Sequence, residues 1–149
     1  MQNNQDEFLG KWLALAHLKL FNLLTRVLHK EGFDLTFEQF ILLKIINAHE
    51  GVSQKELATI MSKDKTSITR AISVLEDNHK VVRINAKDDK RKKGLYLTKE
   101  GKEHLAQVMP RFIQIRKELE KGFSDNELEQ TIATIKKIIE RTNQLEKQL

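Results

Sequence analysis

Apolar residues recur at helical spacing along most of this chain, and the breaks between runs are chemically specific. From residue 8 to about residue 30, Phe8, Leu9, Trp12, Leu13, Leu15, Ala16, Leu20, Phe21, Leu23, Leu24, Val27 and Leu28 cover more than one stripe of a helix. A helix apolar over so much of its circumference has to be covered on several sides. Gly32 suits the position just past its end. Thr36-Phe37-Glu38-Gln39 pairs a hydroxyl with a glutamine three residues on, the pattern of a capping box, and predicts a helix over 37–48. Gly51 breaks the chain before a second box, Ser53 to Glu56, whose helix carries Leu57, Ala58 and Met61 on one face. A tight turn at Ser62 and Lys63 leads to Asp64, a good N-cap for another helix. There Ile68, Ala71, Ile72 and Leu75 recur at helical spacing and face the core.

The period then changes. Residues 81–85 and 94–98 have strand character, Leu95 and Leu97 alternating against Tyr96. The polar, basic loop 86–93 lies between them, so the two runs predict a hairpin. A long helix follows over about 98–123, with Leu105, Val108, Phe112, Ile115 and Leu119 spaced 3, 4, 3 and 4. Pro110 interrupts it and predicts a kink. A third box, Ser124 to Glu127, opens the last helix. Leu128, Ile132, Ile135, Ile139, Thr142, Leu145 and Leu149 then form a near-heptad seam. The terminal helices carry more apolar face than one small lobe could cover, and a symmetric dimer is the simplest solution.

Two short helices on a tight turn, followed by a basic hairpin, have the layout of a helix-turn-helix with a wing. The face of the second helix opposite its apolar positions carries Lys65, Thr66, Thr69, Arg70 and Ser73. Short hydroxyls and cations of this kind contact base edges and phosphates. Charge sharpens the reading. From Lys80 to Lys102 nine basic residues meet three acidic ones, a surplus of six, while the whole chain has a surplus of five. The positive charge is therefore local, the footprint of a polyanion partner. The wing loop supplies Lys90, Arg91, Lys92 and Lys93.

Composition excludes more than it assigns. The 149 residues suit one domain. With 40% hydrophobic and 32% charged residues they can build a core and stay in water. One proline and six glycines leave little room for a β-rich fold. Zero cysteines remove disulfides, zinc–thiolate sites and thiol redox sensing. No apolar run approaches a membrane span, and the polar start MQNNQDEF is unlike a signal peptide, so a cytoplasmic protein with no membrane partner is expected. The five histidines are scattered, and no metal site or cofactor is expected. No nucleophile elbow, P-loop or dinucleotide fingerprint appears, so no catalytic residue is assigned and an enzyme is not expected.

The hairpin carries a more specific pattern. Asp89-Lys90-Arg91, five further residues, then Leu97-Thr98-Lys99-Glu100-Gly101 resembles the wing of the multiple-antibiotic-resistance regulator (MarR) family of bacterial transcription factors. Thr69-Arg70, Leu75-Glu76 and Arg83 add a second match, and the order of elements agrees over essentially the whole chain. The resemblance implies a mainly α fold: a winged helix-turn-helix with a small β-hairpin wing and long N- and C-terminal dimerisation helices. It implies one domain over 1–149, with a DNA-binding lobe over about 36–101 and dimerisation helices over about 6–31 and 98–149. It also implies a homodimer that binds double-stranded DNA at a pseudo-palindromic operator, the second helix in the major groove and Arg91 in the adjacent minor groove. Members are typically repressors, many released by small phenolic or anionic effectors. Trp12, His17 and Phe21 lie near where relatives hold effectors, although core or dimer packing explains them more simply.

Two departures bear on the wing. The helix before it usually ends in glycine, where this chain has His79; Asn78 is expected to turn left-handed instead, ending the helix one residue early. Lys87 stands where a proline is common. Two other readings stay open beside a ligand-released repressor: an architectural DNA-binding protein with little sequence preference, and a helical protein-interaction adaptor.

Overall fold

The computed structural model describes residues 8–85 and 93–148. Six helices and one hairpin follow in order: α1 (Leu9–Lys30), α2 (Phe37–Ala48), α3 (Gln54–Met61), α4 (Lys65–Asp77), β1 (Val81–Asn85), β2 (Lys93–Leu97), α5 (Lys99–Glu120) and α6 (Asp125–Glu146). The chain divides into two compact units between Met109 and Pro110. The helix α5 continues through Pro110, the position of the expected kink. Proline has no N–H, so the cost there is one intrahelical bond rather than the end of the helix.

Local chemistry explains the element boundaries. Thr36, Ser53 and Ser124 each accept from the backbone N–H three residues on, and Gln39, Glu56 and Glu127 return the bond to the cap. All three boxes are therefore complete. Asp64 caps α4 by accepting from Ser67 N at 2.9 Å. At the other ends, α1, α3 and α4 close in the same way. Phe33 N donates to Leu28 O, Lys63 N to Ala58 O, and Lys80 N to Leu75 O. This closure demands a left-handed residue just past the cap. Gly32, Ser62 and His79 supply it, with φ of 83°, 49° and 56°. The expectation for Asn78 is thus corrected. Asn78 keeps φ −85°, and His79 takes the turn, because its N–H must reach Glu76 O while Lys80 reaches Leu75.

Among the described residues, all of the fully buried apolar side chains lie in the first unit. Phe40, Leu42, Leu43, Ile46, Leu57, Ile68, Ile72, Leu75 and Leu95 are completely enclosed, and Leu24, Leu28, Leu105 and Val108 close over them. In the hairpin, Val81 pairs with Leu97 and Arg83 with Leu95. Strand alternation puts these four on the inward face. Gly51 N donates to Leu95 O and Leu95 N to Val52 O, both at 2.9 Å, so β2 is also held along its other edge. Gly94 permits that approach, since a Cβ there would lie 2.8 Å from Gly51 O.

One corner ties the hairpin to α5. Thr98 N donates to Lys80 O, and its hydroxyl donates to His79 O at 2.6 Å and accepts from Gly101 N at 2.9 Å. Gly101 then rests on the Lys80 carbonyl, where a Cβ would meet the oxygen at 2.0 Å. The Leu-Thr-x-x-Gly run is therefore a joint between elements.

The second unit is built differently. Its two helical segments meet at a turn containing Gly122, and no residue of α6 is buried. Ile132, Ile139 and Leu145 are each about half exposed. Phe8 at the N-cap of α1, and Leu9, Trp12 and Leu18 within it, are likewise exposed. The sequence asked for cover on these faces, and one chain does not provide it.

Two outcomes follow from this packing. Gly101→Ala should lower stability by about 1–3 kcal/mol, because the backbone carbonyl it meets cannot move aside as a side chain would; urea unfolding measures it. His104 generates the second. It stacks on Phe33 at 5.7 Å, and its Nδ1 is buried without a partner among the described residues. Desolvation first, and the Lys80 charge second, push its pKa below the ordinary 6.5, against weaker pulls from Glu100 and Asp34. The unfolded chain then holds the proton more readily than the folded one. Stability is complete above about pH 6.5 and falls as pH drops below it. Thermal melting between pH 7.5 and 5 should show this decline, and His104→Phe should flatten it.

Candidate nucleic-acid interface

The helices α3 and α4 meet at the Ser62 turn, and α4 lies beside β1. Burial of Ile68, Ile72 and Leu75 fixes which side of α4 faces inward. Thr66 and Arg70 are consequently exposed, one turn apart on the outer side. Lys65, Thr69 and Ser73 form a second stripe, four residues apart, along an open groove bounded by Gln54, Arg83 and Gly94. The five α4 residues singled out from sequence thus form two rows, not one face. Thr69 and Ser73 are half-buried because they look sideways toward α3 and β1.

Of the wing residues, Lys93 opens β2 and is exposed, whereas Lys90, Arg91 and Lys92 lie outside the described residues. So do most of loop 86–93 and Asp89. The remaining cations of the basic segment are mostly occupied. Lys80 pairs with Glu100, Arg83 with Glu76, Lys102 with Glu50 at 2.8 Å and Lys99 with Glu103 at 3.9 Å. The Lys80 ammonium, by hydrogen bond and by charge, holds the Glu100 carboxyl below the usual range. Lys65, Arg70 and Lys93 have no ion pair among the described residues. Beside them stands Asp64, whose carboxyl is held low by hydrogen bonds from Ser67.

Two residues absent from the sequence-based site matter to its geometry. Arg83 stands at an inward strand position and is half-buried. Beyond Glu76 it reaches Ser73 Oγ at 3.4 Å. With its amide oxygen turned toward the guanidinium, Gln54 accepts from Arg83 Nε at 3.1 Å and Nη2 at 2.8 Å. Arg83 therefore joins β1, α4 and α3. The signal was present in the alternation: a cation two residues from Val81 shares its inward face and requires an anion.

The α1 residues divide. His17 and Phe21 meet at a tilt of 47°, their ring centres 5.9 Å apart, and Phe21 meets Phe37 edge-on at 6.0 Å. Trp12 stands apart, about half exposed, with the Lys11 ammonium 5.8 Å from its ring. Among the described residues no group of His, Asp and Glu could hold a metal ion, and no helix is long and apolar enough to cross a membrane.

This arrangement has known counterparts. Residues 35–93, from the start of α2 through the hairpin, match the model of the MarR family. The likeness to the MarR family covers 59 of the 149 residues. Members of the MarR family are non-enzymatic DNA-binding transcriptional regulators. MarR of Escherichia coli, in its reduced form, is 26% identical with a TM-score of 0.73, over 88% of this chain and 96% of that one. A Listeria monocytogenes protein assigned to the MarR family, solved with 26-mer DNA, shares the fold with a TM-score of 0.81 at 24% identity, over 91% and 89% of the two chains. A Thauera aromatica protein proposed to regulate transcription of an hcr operon is 28% identical over 97 residues, 65% of this chain. That match spans 58% of the relative, less than two thirds of its length.

The occupied and unoccupied cations should separate on substitution. Arg83→Met strands Glu76 and should cost about 1–2 kcal/mol of stability. Lys65→Met and Arg70→Met should change it by less than about 0.5 kcal/mol. Urea unfolding of the three variants checks the division.

Proposed function

We propose that this chain is a homodimeric, sequence-specific repressor that binds a pseudo-palindromic operator and is released by a small-molecule effector. The observation that carries the DNA reading is the outer row of α4. Thr66 and Arg70 are exposed there, and Arg70 has no ion pair among the described residues. A helix held at its back by Ile68, Ile72 and Leu75, with such a front, is suited to a major groove. The wing loop, with Lys90, Arg91, Lys92 and Lys93, would follow the neighbouring backbone and minor groove. A groove of that kind is read by width and potential more than by base identity.

The dimer reading rests on the bare apolar faces of α1 and α6. Interfaces that replace a missing core of this kind usually bury more than about 2,000 Å². Repression and effector release rest on the resemblance of the chain to the MarR family. Trp12, His17 and Phe21 are the residues nominated for an effector, and of these His17 and Phe21 lie in ring contact on α1. An architectural role would use the same cations without base preference.

Two half-sites read by a two-fold dimer should stand about 10–11 base pairs apart, on one face of the duplex. Binding-site selection should return such a repeat. Inserting five base pairs between its halves should abolish tight binding; undiminished affinity would favour the architectural reading. Ile135→Asp with Ile139→Asp should convert the dimer, seen by sedimentation, to monomer or aggregate and remove operator binding.

A further inference from the structure

We propose that Thr69 reads the methyl group of a thymine, because its hydroxyl proton is held inside its own helix. The inference rests on α4 being the DNA-reading helix.

A threonine can offer a base either a hydroxyl or a methyl group. The Thr69 hydroxyl is already engaged. It donates to Lys65 O at 2.8 Å, spending its one proton inside the helix. The Gln54 amide lies 3.4 Å from the same Oγ1. Arg83 decides which end of that amide faces Thr69. A guanidinium has donors only, so the amide oxygen turns to Arg83 Nε and Nη2. The amide nitrogen then faces the Thr69 oxygen and donates to it. Glu76 and Ser73 hold Arg83 in turn. One polar relay thus runs from Glu76 through Arg83 and Gln54 to the Thr69 hydroxyl and ends on the Lys65 carbonyl.

What remains of Thr69 for an incoming base is its methyl group and one acceptor lone pair, with no proton to donate. Thr66 provides the contrast on the same helix. It is exposed, and its hydroxyl has no partner among the described residues. The two threonines should therefore read differently, Thr66 as a polar group and Thr69 as an apolar one. In the major groove the apolar feature of a base pair is the thymine C5-methyl.

The test uses the duplex that the unaltered protein selects. Each thymine in a half-site is replaced in turn by deoxyuridine, which lacks only the methyl group. Replacing the sensitive thymine in one half-site only should weaken binding by about fourfold, the value of one methyl removed from water. Gln54→Met leaves the bond to Lys65 in place and should keep that sensitivity. Thr69→Ser should be insensitive, Thr66→Ser should stay sensitive, and Thr69→Val, which presents methyl groups only, should stay sensitive too. Indifference of the unaltered protein to every deoxyuridine overturns the proposal, and so does a Thr69→Ser variant that keeps the sensitivity. If the unaltered protein selects no duplex at all, the DNA reading itself has failed and this inference falls with it.

Discussion

A cation placed on the inward side of a strand organises the lobe that carries α3, α4 and the hairpin. Arg83 shares its face with Val81 and Leu95, where an apolar residue would be ordinary. Partial burial of a guanidinium is tolerable only with its charge paired and its donors used. Glu76 supplies the charge from α4. Ser73 and Gln54 take further donors from α4 and α3. Such a pair adds little net stability against an apolar substitute, yet it is directional in a way that apolar contact is not. Three elements that could slide on a greasy surface are fixed by one planar group. Everything proposed for α4 depends on that fixing, because a reading helix has to hold its side chains at set positions relative to the wing.

Much of this lobe was legible in the sequence because its signals are short-range. A capping box spans three residues and reports its own geometry, so Thr36, Ser53 and Ser124 marked their helices almost to the residue. The burial of Ile68, Ile72 and Leu75 followed from spacing alone. Residue His79 was harder. An asparagine next to it offered a cheaper left-handed residue, but the closing bonds to Leu75 and Glu76 fix which position must turn. Intrinsic preference lost to hydrogen-bond registry. The inner row of α4 was harder still. Whether Thr69 faces outward or sideways depends on where α3 and β1 lie, and that is a tertiary fact. Gln54 carried no local mark at all.

The long helices show the opposite balance. Their apolar positions were plain in the sequence, and the structure of one chain leaves them bare. Ile132 and Ile139 on α6, and Leu9 and Trp12 on α1, stand about half exposed. Scattered single apolar residues on a surface are unremarkable, whereas a seam repeated over a whole helix is costly to leave in water. The first unit buries its core without help; the second has almost none of its own. Folding of α6 is thereby tied to whatever covers it, and for a seam of this length a second copy of the same helix is complementary by construction.

Charge has to be weighed in the same way. A surplus of six in the basic segment reads as a polyanion footprint, but four of its nine cations are engaged with carboxylates in the folded chain. Each of those pairs joins or stiffens elements: Lys80–Glu100 at the Thr98 corner, Lys102–Glu50 between α5 and the loop before α3, Lys99–Glu103 within one turn, and Arg83–Glu76 at the centre. A phosphate would have to compete for them. On α4 and the described part of the wing, the cations without an ion pair are Lys65 in the groove row, Arg70 in the outer row and Lys93 at the base of the wing. Counterion release scales with phosphates neutralised, not with basic residues counted. The salt dependence of binding should therefore be set by α4 and the wing, with the paired cations contributing rigidity instead. The same segment of sequence divides its lysines and arginines between holding the fold and meeting a partner, and only the folded chain shows which do which.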